Sequence, residues 1–294
     1  MLAPVRTPLI RLSNLFPERE VYAKCEFLAP SGSFKIHGAT HLLTALQSEG
    51  RKPQLIVPSM GNTALGAAVG AKAFGFEMIG VVPQSISQAK DERLRALGVE
   101  LMKIAGGGSE LLERARQLAE ERNGYFVHPH LDPLWTDGYQ VIADQVLGDL
   151  PACKSLVFPV GGGGLLMGIT ERVQAGAGIS LFGCEPYNFP KYASYSHQRS
   201  RSIADGLLLD VPHPKVQRRI AERGIPIDLV EESEIQQAMA RLFATHGLIV
   251  EPSSAITLAC IERHGREFPE PICAILTGAN IAREDFDRLA GAAA

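Results

Sequence analysis

The 294-residue sequence predicts an α/β fold built on mostly parallel strands. Two observations predict it: short apolar, β-rich runs recur along the chain, and each is followed by a longer stretch whose apolar residues return with the helical period. In order, Gln54–Val57 leads into a helix at Asn62–Phe74, Met78–Val82 into Ser87–Leu97, and Glu100–Ile104 into Ser109–Arg122. Tyr125–His128 then precedes a helix from about Gly138 to Leu147. A second series has strands at Ser155–Val160, Ile179–Cys184 and Ile272–Leu276, with helices at Leu165–Gln174, Glu232–Thr245 and Ser254–Arg263. In the helix that opens at Glu232, Ser233 is the expected cap, Ile235, Met239 and Leu242 share one face, and Gly247 is the stop. Tyr187–Pro214, with three prolines among polar and aromatic residues, reads as a long irregular loop.

Composition narrows the class of partner. Apolar residues make up 46% and charged residues 21%, ordinary globular usage with no disordered tail. A net charge of -3 gives no electrostatic footprint for nucleic acid or an anionic membrane, which leaves small molecules. The five cysteines are scattered and form no C-x-x-C pair, as expected of a reduced, cytoplasmic protein. No segment has the length and apolarity of a signal peptide or a membrane span.

Four local patterns carry chemistry. Gly161-Gly162-Gly163-Gly164 follows an apolar strand and opens a helix, so its backbone N–H groups converge at a positive helix end that suits a phosphate. It has neither the lysine of a Walker sequence nor the spacing of a dinucleotide fingerprint. Lys35 follows the turn-forming run Pro30-Ser31-Gly32-Ser33 and Phe34, a setting that holds an amine in a pocket, where it can lose its proton and form an imine with a carbonyl. Ser59-Met60-Gly61-Asn62-Thr63 opens a helix of small residues and offers hydroxyls, an amide and a helix N-terminus to a carboxylate, though a plain helix cap by Asn62 or Thr63 accounts for it equally. Thr277-Gly278-Ala279-Asn280 sets a hydroxyl at the carboxyl edge of the last apolar strand, where α/β sheets bind ligands.

Together and in this order, these pieces resemble the fold-type II pyridoxal phosphate enzymes, most closely the threonine/serine dehydratase and serine racemase branch. The resemblance also takes in Thr7-Pro8-Leu9, Ala23-Lys24-Cys25-Glu26, Cys184-Glu185-Pro186, Ile203-Ala204-Asp205-Gly206 and Glu251-Pro252-Ser253. It implies two three-layer α/β/α domains: a large one from residues 1–53 and 134–294 that binds pyridoxal 5′-phosphate, and a small mobile one from 54–133. By the same resemblance Lys35 is the Schiff-base lysine and proton shuttle, Phe34 flanks the cofactor ring, and Asn62 bonds the 3′-oxygen. Gly161, Gly162, Gly163 and Gly164 hold the phosphate, and Thr277 faces the pyridine nitrogen. Ser59, Met60, Gly61 and Thr63 receive the substrate carboxylate, and Tyr139 shapes the substrate side with Trp135 and the loop Tyr187–Tyr195. A neutral hydroxyl at the ring nitrogen favours β-elimination or β-replacement over transamination.

The chain departs from the family near the substrate. Met60 stands where relatives carry a second serine, which counts against racemisation, and Asp137-Gly138-Tyr139-Gln140 replaces a Gly-Gln-Gly-Thr run. His37 occupies a position where arginine is common. Lys191 stands where metal-binding members place an aspartate, so no magnesium site is expected and the ammonium takes the cation's place. The chain ends soon after Asn280, which leaves no room for a regulatory domain. The expected activity is removal of ammonia from a small 3-hydroxy or 3-amino amino acid in a cytoplasmic homodimer. A cysteine-synthase-type replacement enzyme, a racemase and a catalytically silent cofactor-binding protein are the alternatives.

Overall fold

The computed structural model describes residues 5–59, 61–86, 88–106, 108–128, 130–193, 200–208, 212–264 and 267–291. In chain order the elements are β1 (Leu9–Arg11), β2 (Val21–Cys25), α1 (Lys35–Ser48), β3 (Leu55–Pro58), α2 (Asn62–Phe74), β4 (Met78–Pro83), α3 (Gln88–Ala96), β5 (Glu100–Ile104), α4 (Gly108–Arg122) and β6 (Tyr125–Phe126). There follow α5 (Pro133–Thr136), α6 (Gln140–Asp149), β7 (Ser155–Pro159), α7 (Gly164–Arg172), β8 (Ser180–Pro186), α8 (Pro214–Arg223), β9 (Ile227–Val230), α9 (Glu232–His246), α10 (Pro252–His264), β10 (Ile272–Leu276) and α11 (Arg283–Gly291). The expected α/β architecture is therefore present, with both sheets parallel except for the β1–β2 pair.

The chain packs as two compact units, Met1–Arg6 with Ala29–Val141 and Thr7–Leu28 with Ile142–Ala294. This division differs from the one expected, because 1–6, 29–53 and 134–141 join the unit that holds β3 to β6. The reason is steric: a β-carbon on Gly66 of α2 would lie 2.8 Å from the Lys35 carbonyl carbon, and one on Gly138 would lie 2.5 Å from the His37 carbonyl oxygen. α1 is thus held at backbone contact by α2 on one side and by the segment after α5 on the other. The sheet of this unit runs β5-β4-β3-β6, and its core joins Ile56, Ile79 and Val81 to Leu111, Ala115 and Leu118 of α4.

The second unit carries the sheet β1-β2-β10-β7-β8-β9. β7 and β10 are buried along their whole length, as parallel strands covered by helices on both faces must be. From β7 the chain moves outward to β8 and β9, then returns to place β10 on the other side of β7. The β7–β10 junction is a switch point, and the carboxyl ends of its strands are where such sheets bind ligands.

α9 begins where the sequence predicts, but its cap is Glu231 rather than Ser233. The Glu231 carboxylate accepts from the Glu234 N–H, and the Glu234 carboxylate accepts from the Glu231 N–H. Ser233 already lies within the first turn, beyond the position from which a side chain caps. Gly247 does stop α9, in a left-handed conformation.

The N-terminal part of this unit is fastened by buried polar groups. The Lys24 ammonium donates to the Thr7 carbonyl and to Gln145 Oε1, both at 2.5 Å, and the Thr7 hydroxyl donates to Glu26 Oε1 at 2.6 Å. Thr7→Val removes a hydrogen bond to a buried carboxylate, which costs about 1.5–3 kcal/mol. A urea titration will show it as a lower midpoint at unchanged slope.

Candidate active site

The candidate residues fall in both units. In the first, Lys35 is the opening residue of α1, with Phe34 at its cap position. The Lys35 ammonium stands 4.7 Å from the centre of the Phe34 ring and 5.6 Å from that of Tyr139, and the two rings pack tilted at 4.7 Å. Tyr139 is 0% exposed, and its hydroxyl accepts from the Trp135 indole at 2.5 Å. Burial raises its phenol above the usual range. Its hydroxyl lies on the Trp135 indole, and its ring is the part that stands beside Lys35. Trp135, also fully buried, is fixed from below by Gly38, where a β-carbon would come within 2.8 Å of the indole nitrogen. The site's aromatic floor is therefore a packing feature.

Asn62 and Thr63 are the first two residues of α2, behind Gly61. The Gly61 N–H donates to Ser59 Oγ at 3.2 Å, which curls the segment between β3 and the start of α2. Thr63 is buried and Asn62 half-buried. Met60 lies outside the described residues, as do 194–199 of the loop that contains Tyr195.

In the second unit, Gly161 to Gly164 connect β7 to α7. Gly163 is left-handed, with φ of 84°, and a β-carbon there would meet both methyls of Val216 at 2.5 Å. No hydrogen bond from the N–H of Gly161, Gly162 or Gly163 is formed among the described residues. Together with the first-turn amides of α7, these donors make an anion cradle. Gly161 faces Gly206, whose carbonyl oxygen would be 3.3 Å from a β-carbon, and the Gly206 N–H donates to Ser253 Oγ at 3.2 Å.

Thr277 follows β10 and is 3% exposed, with Oγ1 3.1 Å from Ser254 Oγ. Ser254 Oγ donates to the Gly278 carbonyl and accepts from the Gly278 N–H, each at 2.7 Å. Its single proton is thereby committed, so the Thr277 hydroxyl is the donor in their shared bond. Ser254 is the residue that sequence reasoning misses: the recognisable motif ends at Ser253, and nothing local shows that the next hydroxyl grips a turn 24 residues away. Four of the sequence motifs meet around the β7–β10 junction, since the Glu251 carboxylate also accepts from the Asn280 N–H at 3.2 Å.

Taken unit by unit, the donors suit parts of a phosphorylated pyridine aldehyde: the first unit offers the Lys35 amine to a carbonyl, and the second offers open amides to a phosphate and the neutral Thr277 hydroxyl to a ring nitrogen. Residues 1–278 match the family described as "Pyridoxal-phosphate dependent enzyme". The chain belongs to that family. This pyridoxal-phosphate dependent enzyme is 32% identical over 289 residues to a protein named L-threonine ammonia-lyase from Geobacter sulfurreducens, covering 94% of this chain and 71% of the relative. Among solved structures, it superposes on a threonine deaminase from T.th. with a TM-score of 0.84 and 30% identity, covering 95% of this chain and 94% of that one. The processed threonine deaminase isoform 2 of Solanum lycopersicum gives a TM-score of 0.88 at 25% identity, covering 98% and 84%.

Other reactive groups of the enzyme are held apart from chemistry. All five cysteines are free and buried. Burial pushes the Cys25 thiol up to about 12 and Cys153 up to about 11, and raises Cys273 well above the usual range. Thiolate is the reactive form, so iodoacetamide at pH 7.5 will leave the folded enzyme unlabelled and fully active. Among the described residues, one group of metal-ligating side chains gathers, Asp228, Cys260 and His264, and their donor atoms lie within 4.8 Å of one another. His264 there bridges Asp228 and Glu267, each at 3.0 Å, so the group is joined by its own hydrogen bonds. No helix among the described residues is long and apolar enough to cross a membrane.

Proposed function

We propose that the enzyme is an ammonia-lyase that converts a small 3-hydroxy amino acid, threonine or serine first, into the corresponding 2-oxo acid and ammonia. The observation that carries the reading is Thr277. It offers a neutral hydroxyl, bonded to Ser254, at the place this reading gives to the ring nitrogen. The relatives named for threonine ammonia-lyase and threonine deaminase activity support it.

Bound there, pyridoxal 5′-phosphate supplies the carbonyl that joins the substrate amine and the electron sink that acidifies the α-carbon. Lys35 Nζ takes the α-proton, and the aromatic faces of Phe34 and Tyr139 accommodate the resulting ammonium. The β-hydroxyl then leaves as water, with the proton returned by Lys35. Gly161 to Gly164 fix the phosphate end, Asn62 the 3′-oxygen, and Ser59, Gly61 and Thr63 the substrate carboxylate at the positive end of α2. Water completes the overall reaction by releasing ammonia. A cytoplasmic homodimer, and a part centred on residues 54–133 that moves with substrate, belong to the same proposal.

The test is a panel of L-threonine, L-serine and 2,3-diaminopropionate, scored for 2-oxo acid with and without an added thiol. The proposal expects 2-oxo acid from at least one hydroxy amino acid without thiol. Product that forms only with the thiol would reject it in favour of β-replacement. Inversion of the α-carbon without 2-oxo acid would reject it in favour of racemisation.

A further inference from the structure

We propose that Lys191 is a positioning residue for the cofactor phosphate, an internal cation that fixes both flanks of the glycine cradle. This rests on the reading that Gly161 to Gly164 hold that phosphate. The Lys191 and Glu185 side chains are both 0% exposed, with Nζ 3.5 Å from Glu185 Oε1. A buried ion pair holds only where hydrogen bonds satisfy the rest of each group. Glu185 Oε2 accepts from the N–H groups of Lys191, Tyr192 and Ala193 at 3.0, 3.0 and 3.2 Å, which wraps this segment around the end of β8. Oε1 makes no hydrogen bond, so the ammonium is what balances it.

From this knot, two connections reach the cradle. The Lys191 ammonium donates to the Leu207 carbonyl at 2.9 Å, and the turn that contains Leu207 is the one Gly161 packs against, with the Leu207 Cα 3.4 Å from where a β-carbon would be. On the other side, the Tyr192 hydroxyl accepts from the His213 N–H at 3.0 Å, and His213 caps α8. α8 carries Val216, the residue pressed against Gly163. One carboxylate–ammonium pair thus sets the wall beside Gly161 directly and the wall beside Gly163 through Tyr192. Loss of the ammonium takes the partner from Glu185 Oε1, and the Leu207 turn loses its tie.

The experiment compares Lys191→Ala with the parent protein in reconstitution with pyridoxal 5′-phosphate and, separately, with pyridoxal, which lacks the phosphate. Supporting partners that orient a site typically contribute roughly 10-fold to 100-fold in affinity. We expect weakening of that size for pyridoxal 5′-phosphate, a shifted ³¹P resonance of the bound phosphate, and unchanged affinity for pyridoxal. Methylammonium or magnesium ion, added to fill the vacated position beside Glu185, should recover most of the loss. Unchanged affinity for pyridoxal 5′-phosphate, equal weakening for both compounds, or a loss that neither cation recovers would overturn the inference. If Lys191→Ala does not fold, the uncharged pair Glu185→Gln with Lys191→Met carries the same comparison of the two compounds. Gly163→Val separates the two readings. If that variant still binds pyridoxal 5′-phosphate normally, the cradle assignment fails, whereas loss there with no loss at Lys191 rejects the role of Lys191 alone.

Discussion

Replacing Lys35 with alanine is expected to lower turnover by about three to four orders of magnitude, the upper part of the range for a positioned general base. Among the described residues no other lysine opens a helix, and α2 reaches the backbone of Lys35 so closely that Gly66 has no room for a methyl group. The backbone that carries the amine is therefore fixed by packing. Both kcat and kcat/KM should fall together, because the proton transfer is made only on the way to product. Substitution of Phe34 by leucine should cost far less, since it removes an aromatic face and no reacting atom.

Gly163→Val should release the cofactor. Its left-handed φ of 84° is open to glycine and costs about 1–2 kcal/mol for a residue with a β-carbon. The β-carbon would also collide with both Val216 methyls at 2.5 Å, an overpacking penalty of about 1–3 kcal/mol. The strain falls on the donors that face the phosphate, so affinity for the cofactor should drop by two orders of magnitude or more. Equilibrium dialysis against pyridoxal 5′-phosphate measures it. Adding Val216→Ala should recover the packing share and leave the backbone share, a partial rescue that marks where the penalty arises.

Much of the fold can be read because its signals are local. Asn62–Phe74, Glu100–Ile104 and Ile272–Leu276 occur with the bounds expected, each set off by glycine, proline or a change of apolar period. What escapes a sequence reading depends on distant partners. β2 carries Lys24 and Tyr22 and does not alternate, and it becomes a strand by pairing with β10, which comes from the other end of the chain. α8 begins at Pro214, where the irregular stretch is expected to end, and its ten residues include four charged arginines and lysines that mask its single buried residue, Val216. α1 starts at Lys35, directly after the turn-forming run, because Phe34 takes a helical conformation without a capping side chain.

The candidate site divides in the same way. Lys35, Asn62, the glycine run and Thr277 can be named from the sequence because turns at strand ends expose them. Their supports cannot. Ser254 behind Thr277 and Val216 under Gly163 are brought in by tertiary packing, and each touches a named residue from a separate element. Tyr139 shows the difference most clearly, since a tyrosine near a substrate suggests a working hydroxyl, whereas this one presents its ring.

Borohydride reduction of the enzyme loaded with pyridoxal 5′-phosphate, followed by digestion and mass spectrometry, tests the central claim most directly. Reduction makes the lysine–cofactor bond permanent, so the modified peptide reports which amine held it. The account predicts a single labelled peptide that contains Lys35, and none in Lys35→Ala. Label on any other lysine of the parent enzyme, or a protein that takes up the cofactor without forming a reducible bond, would contradict it.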